Sequence, residues 1–204
     1  MLPETKDGRP SPYGTLASER KEIRILEIVP AVGEDMVECT MRPVALVDEP
    51  APVYETISYY WGLPKAPSLI KLNGIVTQVP VSFEAALRRM RLSDGPRMLW
   101  IDAICINQSS LAERGQQVCL MATIYRTAKQ NLVYLGEDDG HAERGVESIH
   151  NLVSEMRTAT SDFSLIFQTL CEKGTGASHY SEKGLDADVD FEALESLFNL
   201  QWFR

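Results

Sequence analysis

Residues 98–108 read Met98-Leu-Trp-Ile-Asp-Ala-Ile-Cys-Ile-Asn-Gln108. Between Met98 and Ile106 only Asp102 interrupts an apolar run that Arg97 and Ser109 bound. So short a run, continuously apolar, predicts a strand over 98–105 covered on both faces, as in parallel sheets flanked by helices. Ligands of open α/β sheets bind beyond the carboxyl ends of the strands. That makes Asp102, Asn107 and Gln108 candidate site residues. A plainer reading stands beside it, with Asp102 hydrogen-bonded to a neighbouring loop and Asn107-Gln108 forming a turn.

Outward from this stretch, the pattern alternates strands and helices. Val53 to Trp61, rich in β-branched and aromatic residues and closed by Gly62, predicts a central strand over 54–60. Asn73-Gly74 between Leu69–Leu72 and Ile75–Val79 predicts a two-residue hairpin. Ser82 is placed to cap a helix running to about Leu92. A helix is predicted from Ser109 or Ser110 to about Ala128, with Ser110-Leu-Ala-Glu113 matching a capping box and Val118, Met121, Ala122, Tyr125 and Ala128 on its core face. Asn131 to Leu135, stopped by Gly136, predicts a further buried strand, so that 98–105, the helix and 131–135 form a βαβ unit.

Toward the N-terminus, residues 1–21 read as a flexible leader, and Ile23 to Leu46 as two strands of an N-terminal β elaboration. Toward the C-terminus, Asp138 or Asp139 is placed to cap a helix to about Arg157, with Val146, Ile149, Val153 and Met156 facing inward. A shorter helix over 162–172, a loop over 173–189 and a helix from Asp190 follow. The organisation expected is a leader over 1–21 and one domain over 22–204, with its core at 54–136.

Composition narrows the function classes. The chain has 204 residues, a formal net charge of −9 and 44% hydrophobic residues, ordinary for one soluble α/β domain. With no Lys/Arg run to offset the charge, nucleic-acid and anionic-membrane binding are disfavoured. No stretch reads as a membrane span or signal peptide. The four cysteines form no C-x-x-C pair, which fits reduced thiols in a cytoplasmic protein. Neither cysteines nor histidines have metal-ligand spacing. Dinucleotide, phosphate-loop and hydrolase fingerprints are absent as well.

What the chain does carry is a set of blocks in order. Ser58-Tyr-Tyr-Trp-Gly62 is followed by Trp100-Ile-Asp-Ala-Ile-Cys-Ile-Asn-Gln108, by Glu113-Arg-Gly-Gln-Gln-Val118, and by Val133-Tyr-Leu-Gly136. Together they resemble the fungal heterokaryon-incompatibility (HET) domain, whose blocks are S-Y-x-W-G, W-I-D-x-x-C-I-N-Q, E-R-x-x-Q-V and W-L-G. Leu194 to Arg204 extends the likeness. Tyr60 and Tyr134 depart from it, standing where that family has Val or Ala and Trp. The family continues into another apolar strand and a Q-E pair after W-F-x-R, so the resemblance implies a domain cut short at Arg204.

That resemblance also sets expectations of fold and function. HET domains are likened to TIR domains, which implies an α/β three-layer sandwich, TIR-like or flavodoxin-like, with a mainly parallel central sheet. The first function implied is non-self recognition and cell-death signalling through protein partners or self-association, with no cofactor required. The second is a TIR-like NAD glycohydrolase, with NAD as substrate and a carboxylate assisting cleavage of the nicotinamide–ribose bond. Catalytic candidates are then Asp102 and Glu113 at the strand end and, after the next strand, Glu147, with Glu137 and Glu143 as alternatives. Trp61, Gly62, Asn107, Gln108 and Arg114 are candidate ligand or interface residues, Arg114 as a phosphate contact near a helix N-terminus.

Overall fold

A computed structural model describes residues 11–60, 67–137, 140–158 and 190–200. The chain divides into two compact units, residues 1–134 and 135–204. The first is built on a seven-stranded mixed sheet; the described residues of the second form a pair of helices.

Seven strands run β1 (Glu22–Ile28), β2 (Glu38–Ala45), β3 (Glu55–Tyr59), β4 (Pro67–Leu72), β5 (Ile75–Pro80), β6 (Arg97–Trp100) and β7 (Gln130–Tyr134). They lie in the order β5-β4-β2-β1-β6-β3-β7. Parallel pairing joins β6, β3 and β7, with Thr56 opposite Trp100 and Ile57 opposite Leu132. The sheet is nevertheless not mainly parallel, because β1 is antiparallel to both its neighbours and β4–β5 is an antiparallel hairpin. Nor is β1 peripheral. Ile23, Ile25, Leu26 and Ile28 are each at most 1% exposed, as a strand buried on both faces must be, and β1 occupies the middle of the sheet.

Two helices cover this sheet. In α1 (Val81–Met90), Phe83, Ala86 and Leu87 are buried at helical spacing, and the Phe83 ring lies 5.7 Å from that of Tyr59. Ser82 is inside this helix rather than capping it. Pro80, whose ring fixes φ at −57°, holds the cap position without a side-chain bond. α3 (Leu111–Thr127) meets the sheet through Tyr125, edge-on to Trp100 at 5.7 Å, and through the Tyr54 hydroxyl, which donates to the Ile124 carbonyl at 2.8 Å. Side chains alternate along a strand. Tyr59 and Thr56, with its partner Trp100, therefore face opposite ways, which puts α1 and α3 on opposite faces.

The stretch expected as one strand over 98–105 is two elements. β6 ends at Trp100, and Asp102–Cys105 form the helical turn α2. Cys105 N–H donates to the Ile101 carbonyl at 2.8 Å, while the Cys105 sulfur accepts the Ile101 N–H at 3.4 Å. Strand and turn are both enclosed, with Leu99, Trp100, Ile101 and Cys105 each at 0% exposure, so apolarity runs on through the change of conformation.

The core faces of two helices also differ from those expected. On α3, Met121, Tyr125 and Ala128 pack against the core as expected, but the fully buried residues are Gln117 and Ile124, while Val118 is 55% exposed and Ala122 is exposed. In the second unit, α4 (Ala142–Thr158) buries Gly145, Ser148 and Leu152, leaving Val146 and Val153 at 47% and 48% exposure. It packs on α5 (Phe191–Phe198), where Asp190 caps the helix by accepting the Ala193 N–H at 2.9 Å. Close approach explains the choice of face. A Cβ on Gly145 would lie 2.9 Å from the Ala193 carbonyl oxygen, so only glycine permits that contact. The expected caps Asp138 and Asp139, the helix over 162–172 and the loop over 173–189 lie outside the described residues.

Candidate functional site

The candidate residues gather where β6, α2 and α3 succeed one another. Ser110 caps α3, its hydroxyl accepting the Glu113 N–H at 3.3 Å. The return half of the capping box is not made. Glu113 turns its carboxylate to other donors: Oε1 accepts the Asn107 N–H at 2.8 Å, and both oxygens accept from Arg24.

Arg24, from the middle of β1, is the residue that sequence reasoning missed. Its guanidinium engages every terminal N–H. Nη1 donates to Glu113 Oε1 at 2.5 Å and to the Cys105 carbonyl at 3.1 Å. Nη2 donates to Glu113 Oε2 at 3.0 Å and to the Gly14 carbonyl. The Tyr13 ring lies 5.1 Å from the guanidinium carbon, completing a cation–π contact. Arg24 is 3% exposed and Glu113 14%, so this is a largely buried bidentate pair, the arrangement in which a charge tolerates loss of water. One signal could have found it. A lone Arg in Glu22-Ile-Arg-Ile-Leu-Glu-Ile28 has to be paired if that strand is central.

The pair sets the protonation of the site. Burial raises the Glu113 pKa, but hydrogen bonds from Arg24 and the Asn107 N–H, with the charge of Arg24, outweigh it and hold the carboxyl below its ordinary 4.5. Glu113 is thus an ionised carboxylate with three hydrogen bonds, two on Oε1 and one on Oε2. Burial also pushes the Tyr13 phenol up to about 12. Tyr13 remains a neutral ring against the cation.

The other candidates fall around this pair. Asn107 Oδ1 accepts the Ser109 N–H at 3.1 Å, and Gln108 Nε2 donates to the Asp102 carbonyl at 2.8 Å, so the turn reading of both residues is realised. Asp102 opens α2 half-buried. Its charge reaches Tyr59 at the end of β3 and Tyr125 on α3, adding to the burial that raises both phenols. β3 and β6 are parallel neighbours, so their carboxyl ends lie at the same end of the sheet. Arg114 is exposed one residue along α3, and Glu147 is exposed on α4 in the second unit. Trp61 and Gly62 lie outside the described residues. Beside the Arg24–Glu113 pair is a cavity of about 280 Å³, lined by Asn107, Ser110, Glu113 and Gln116 on one side and by Tyr13 to Leu16 on the other. Among the described residues no group of His, Cys, Asp and Glu is arranged to hold a metal ion, and no helix is long and apolar enough to cross a membrane.

Comparison with known proteins bears on what this arrangement serves. Residues 54–203 match the family model of the heterokaryon incompatibility protein (HET). The chain is also 29% identical over 163 residues to heterokaryon incompatibility protein 6, OR allele, of Neurospora crassa. That match takes in 72% of this chain but 23% of the relative, so the chain spans less than a quarter of that protein's length. No solved structure matches. A match over residues 54–203 takes in all four sequence blocks, the α2 turn and Glu113, though not its partner Arg24; the chain belongs to the heterokaryon-incompatibility (HET) family.

Proposed function

We propose that the chain is an interaction module of fungal non-self recognition, which signals cell death by associating with protein partners or with its own copies in the cytoplasm. Family membership supports the biological setting, as does the name of the Neurospora relative. The observation that carries the preference for an interaction module is the structural use made of Glu113, one of the candidate carboxylates. Both of its oxygens are taken by Arg24 and one also by the Asn107 N–H. A carboxylate that must stabilise an oxocarbenium-like state, or pass a proton, needs an oxygen turned to substrate. Glu113 instead ties α3 to β1. The finer likeness to a TIR or flavodoxin-like sandwich is part of this proposal and, as fold-level analogy, constrains function weakly.

The experiment compares wild type with Asp102→Asn, a nearly isosteric change, in a full-length protein expressed in a fungal host. Cell death and nicotinamide release from NAD are followed together. Death without NAD turnover in the wild type is the expected result. Turnover in the wild type, lost together with death in a folded Asp102→Asn protein, would overturn the interaction reading in favour of a glycohydrolase acting through Asp102.

A further inference from the structure

The β5 edge of the sheet stands apart from the rest of the surface in charge and in hydrogen bonding. Edge strands are ordinarily guarded by charged residues, Lys above all. β5 reads Ile75-Val-Thr-Gln-Val-Pro80 and has none. Its hairpin partner β4 carries only Lys71, which pairs with Glu38 of β2 at 3.1 Å. No Asp or Glu occurs between Glu55 and Glu84, in a chain where they number 29 of 204 residues. Val76 is 57% exposed, Leu69 is 45% exposed, and Gln78 is exposed on the same face of the hairpin.

Register fixes which backbone groups this edge offers. In a two-residue hairpin the residues flanking the turn, here Leu72 and Ile75, exchange hydrogen bonds, and bonded and non-bonded pairs alternate from there. Ile75, Thr77 and Val79 therefore turn their N–H and carbonyl groups toward β4, and Val76 and Gln78 turn theirs away from it. Pairing on the far side of β4 agrees. The Lys71 N–H, opposite Val76, points away from β5 and donates to the Val37 carbonyl at 2.9 Å. Among the described residues no hydrogen bond engages the outward groups of Val76 and Gln78.

We propose that β5 pairs antiparallel with β5 of a second copy, continuing the sheet across a two-fold axis at Thr77. In that register Val76 of each copy stands opposite Gln78 of the other, and the two exchange main-chain hydrogen bonds. The two Thr77 residues meet on the axis as a non-bonded pair, with Cα atoms about 4.5 Å apart. The strand is its own complement, because its two outward residues are placed symmetrically about Thr77. Charge selects a second copy as the occupant. Two chains of net charge −9 repel, so they meet at least cost where neither presents an acid, and this hairpin is such a place. One pair of short strands is a small interface, so the association is transient and concentration-dependent. Its role in signalling rests on the interaction reading above, whereas the pairing itself does not.

The test is sedimentation of the full-length protein over a range of concentrations, comparing wild type with Thr77→Lys and Thr77→Glu, each alone and the two mixed. Wild type should pass from monomer to dimer as concentration rises. Either variant sets like charges face to face on the axis and should stay monomeric over the same range. The equimolar mixture, with Lys opposite Glu, should dimerise again. Hydrogen exchange reads the register without a substitution. In wild type the Val76 and Gln78 amides should slow about 10-fold from the dilute to the concentrated end, while those of Ile75, Thr77 and Val79, already bonded within the hairpin, change less. A monomer at every concentration would overturn the pairing. So would a dimer that both variants leave intact, or one in which the Val76 and Gln78 amides stay unprotected. Protection already complete in the monomer would give the edge to another segment of the same chain, and protection gained only with a different protein bound would give it to that partner; either overturns the second copy as occupant. Should the variants fail to fold, exchange in the wild type decides alone. Cell death should fall with either variant and return when the two are co-expressed; unchanged death from a variant shown to be monomeric would overturn the role in signalling. Absence of death in every version, wild type included, would count against the interaction reading, and sedimentation and exchange would still decide the pairing.

Discussion

Arg24 on β1 and Glu113 on α3 are separated by 89 residues in the chain and joined by two hydrogen bonds of 2.5 and 3.0 Å. Because Arg24 also binds the Cys105 carbonyl, one side chain fixes the central strand, the α2 turn and the start of α3 to each other. Removing one partner of such a pair leaves the other charge with little water and no compensation.

Stability should report this directly. A capping box alone makes Glu113→Gln nearly silent, since Gln completes the box as well as Glu. The ion pair reverses that expectation. Glu113→Gln should cost about 3 kcal/mol in urea unfolding, against about 1 kcal/mol for Ser110→Ala, which removes only the cap. Replacing both partners, Arg24→Met with Glu113→Leu, should recover most of the loss, because no charge is left unpaired. A double variant no more stable than Glu113→Gln would show that the pair is not the source of the effect.

The same pair predicts an acid dependence with a definite sign. Glu113 has a folded-state pKa below its ordinary 4.5. A carboxyl depressed in the folded state contributes stability that is fully present above the unfolded value and is lost as pH falls through the folded value. Wild-type stability should therefore decline below about pH 4.5 more steeply than that of Glu113→Gln, which has no proton to take up. Above that range the difference between the two should be constant. Parallel curves throughout the acid range would contradict the assignment.

What could be read from the sequence followed the reach of each signal. Short-range chemistry carried well. Asn73-Gly74 marked the β4–β5 hairpin, Ser110 marked the start of α3, and the β-branched run marked β3. Failures came where hydrophobicity does not record the packing. The buried faces of α3 and α4 include Gln117, which donates to the Glu22 carbonyl at 2.9 Å, and Gly145, chosen for closeness. β6 and α2 merged because both are enclosed. The Arg24–Glu113 junction is non-local, so no window of neighbouring residues contains it. Its trace was a charged residue in an apolar strand.

Gly145→Ala tests the second unit independently of the first. The new Cβ would stand 2.9 Å from the Ala193 carbonyl oxygen and 3.4 Å from the Leu197 Cβ, and backbone cannot swing aside as a side-chain tip can. Alanine favours a helix over glycine by about 1 kcal/mol, yet overpacking costs about 1–3 kcal/mol. The net should be destabilisation, seen as earlier proteolysis of residues 142–200 under native conditions. Stabilisation would mean that α4 and α5 do not approach this closely.

Asn73 performs two tasks that two substitutions can separate. Asn73 and Gly74 have φ of 50° and 80°, the pair of positive values that a two-residue hairpin turn demands. The Asn73 side chain also accepts the Met41 N–H at 2.7 Å, tying the turn to β2. Asn73→Gly keeps the backbone conformation at little strain and loses only that bond, so it should cost about 1 kcal/mol. Asn73→Ala loses the bond and must also hold a left-handed conformation that alanine resists, which adds about 1 kcal/mol. Alanine should thus cost about twice what glycine does in chemical unfolding. Equal costs would place the whole effect in the hydrogen bond to Met41, and a larger cost for glycine would show that chain entropy, not turn geometry, governs the hairpin.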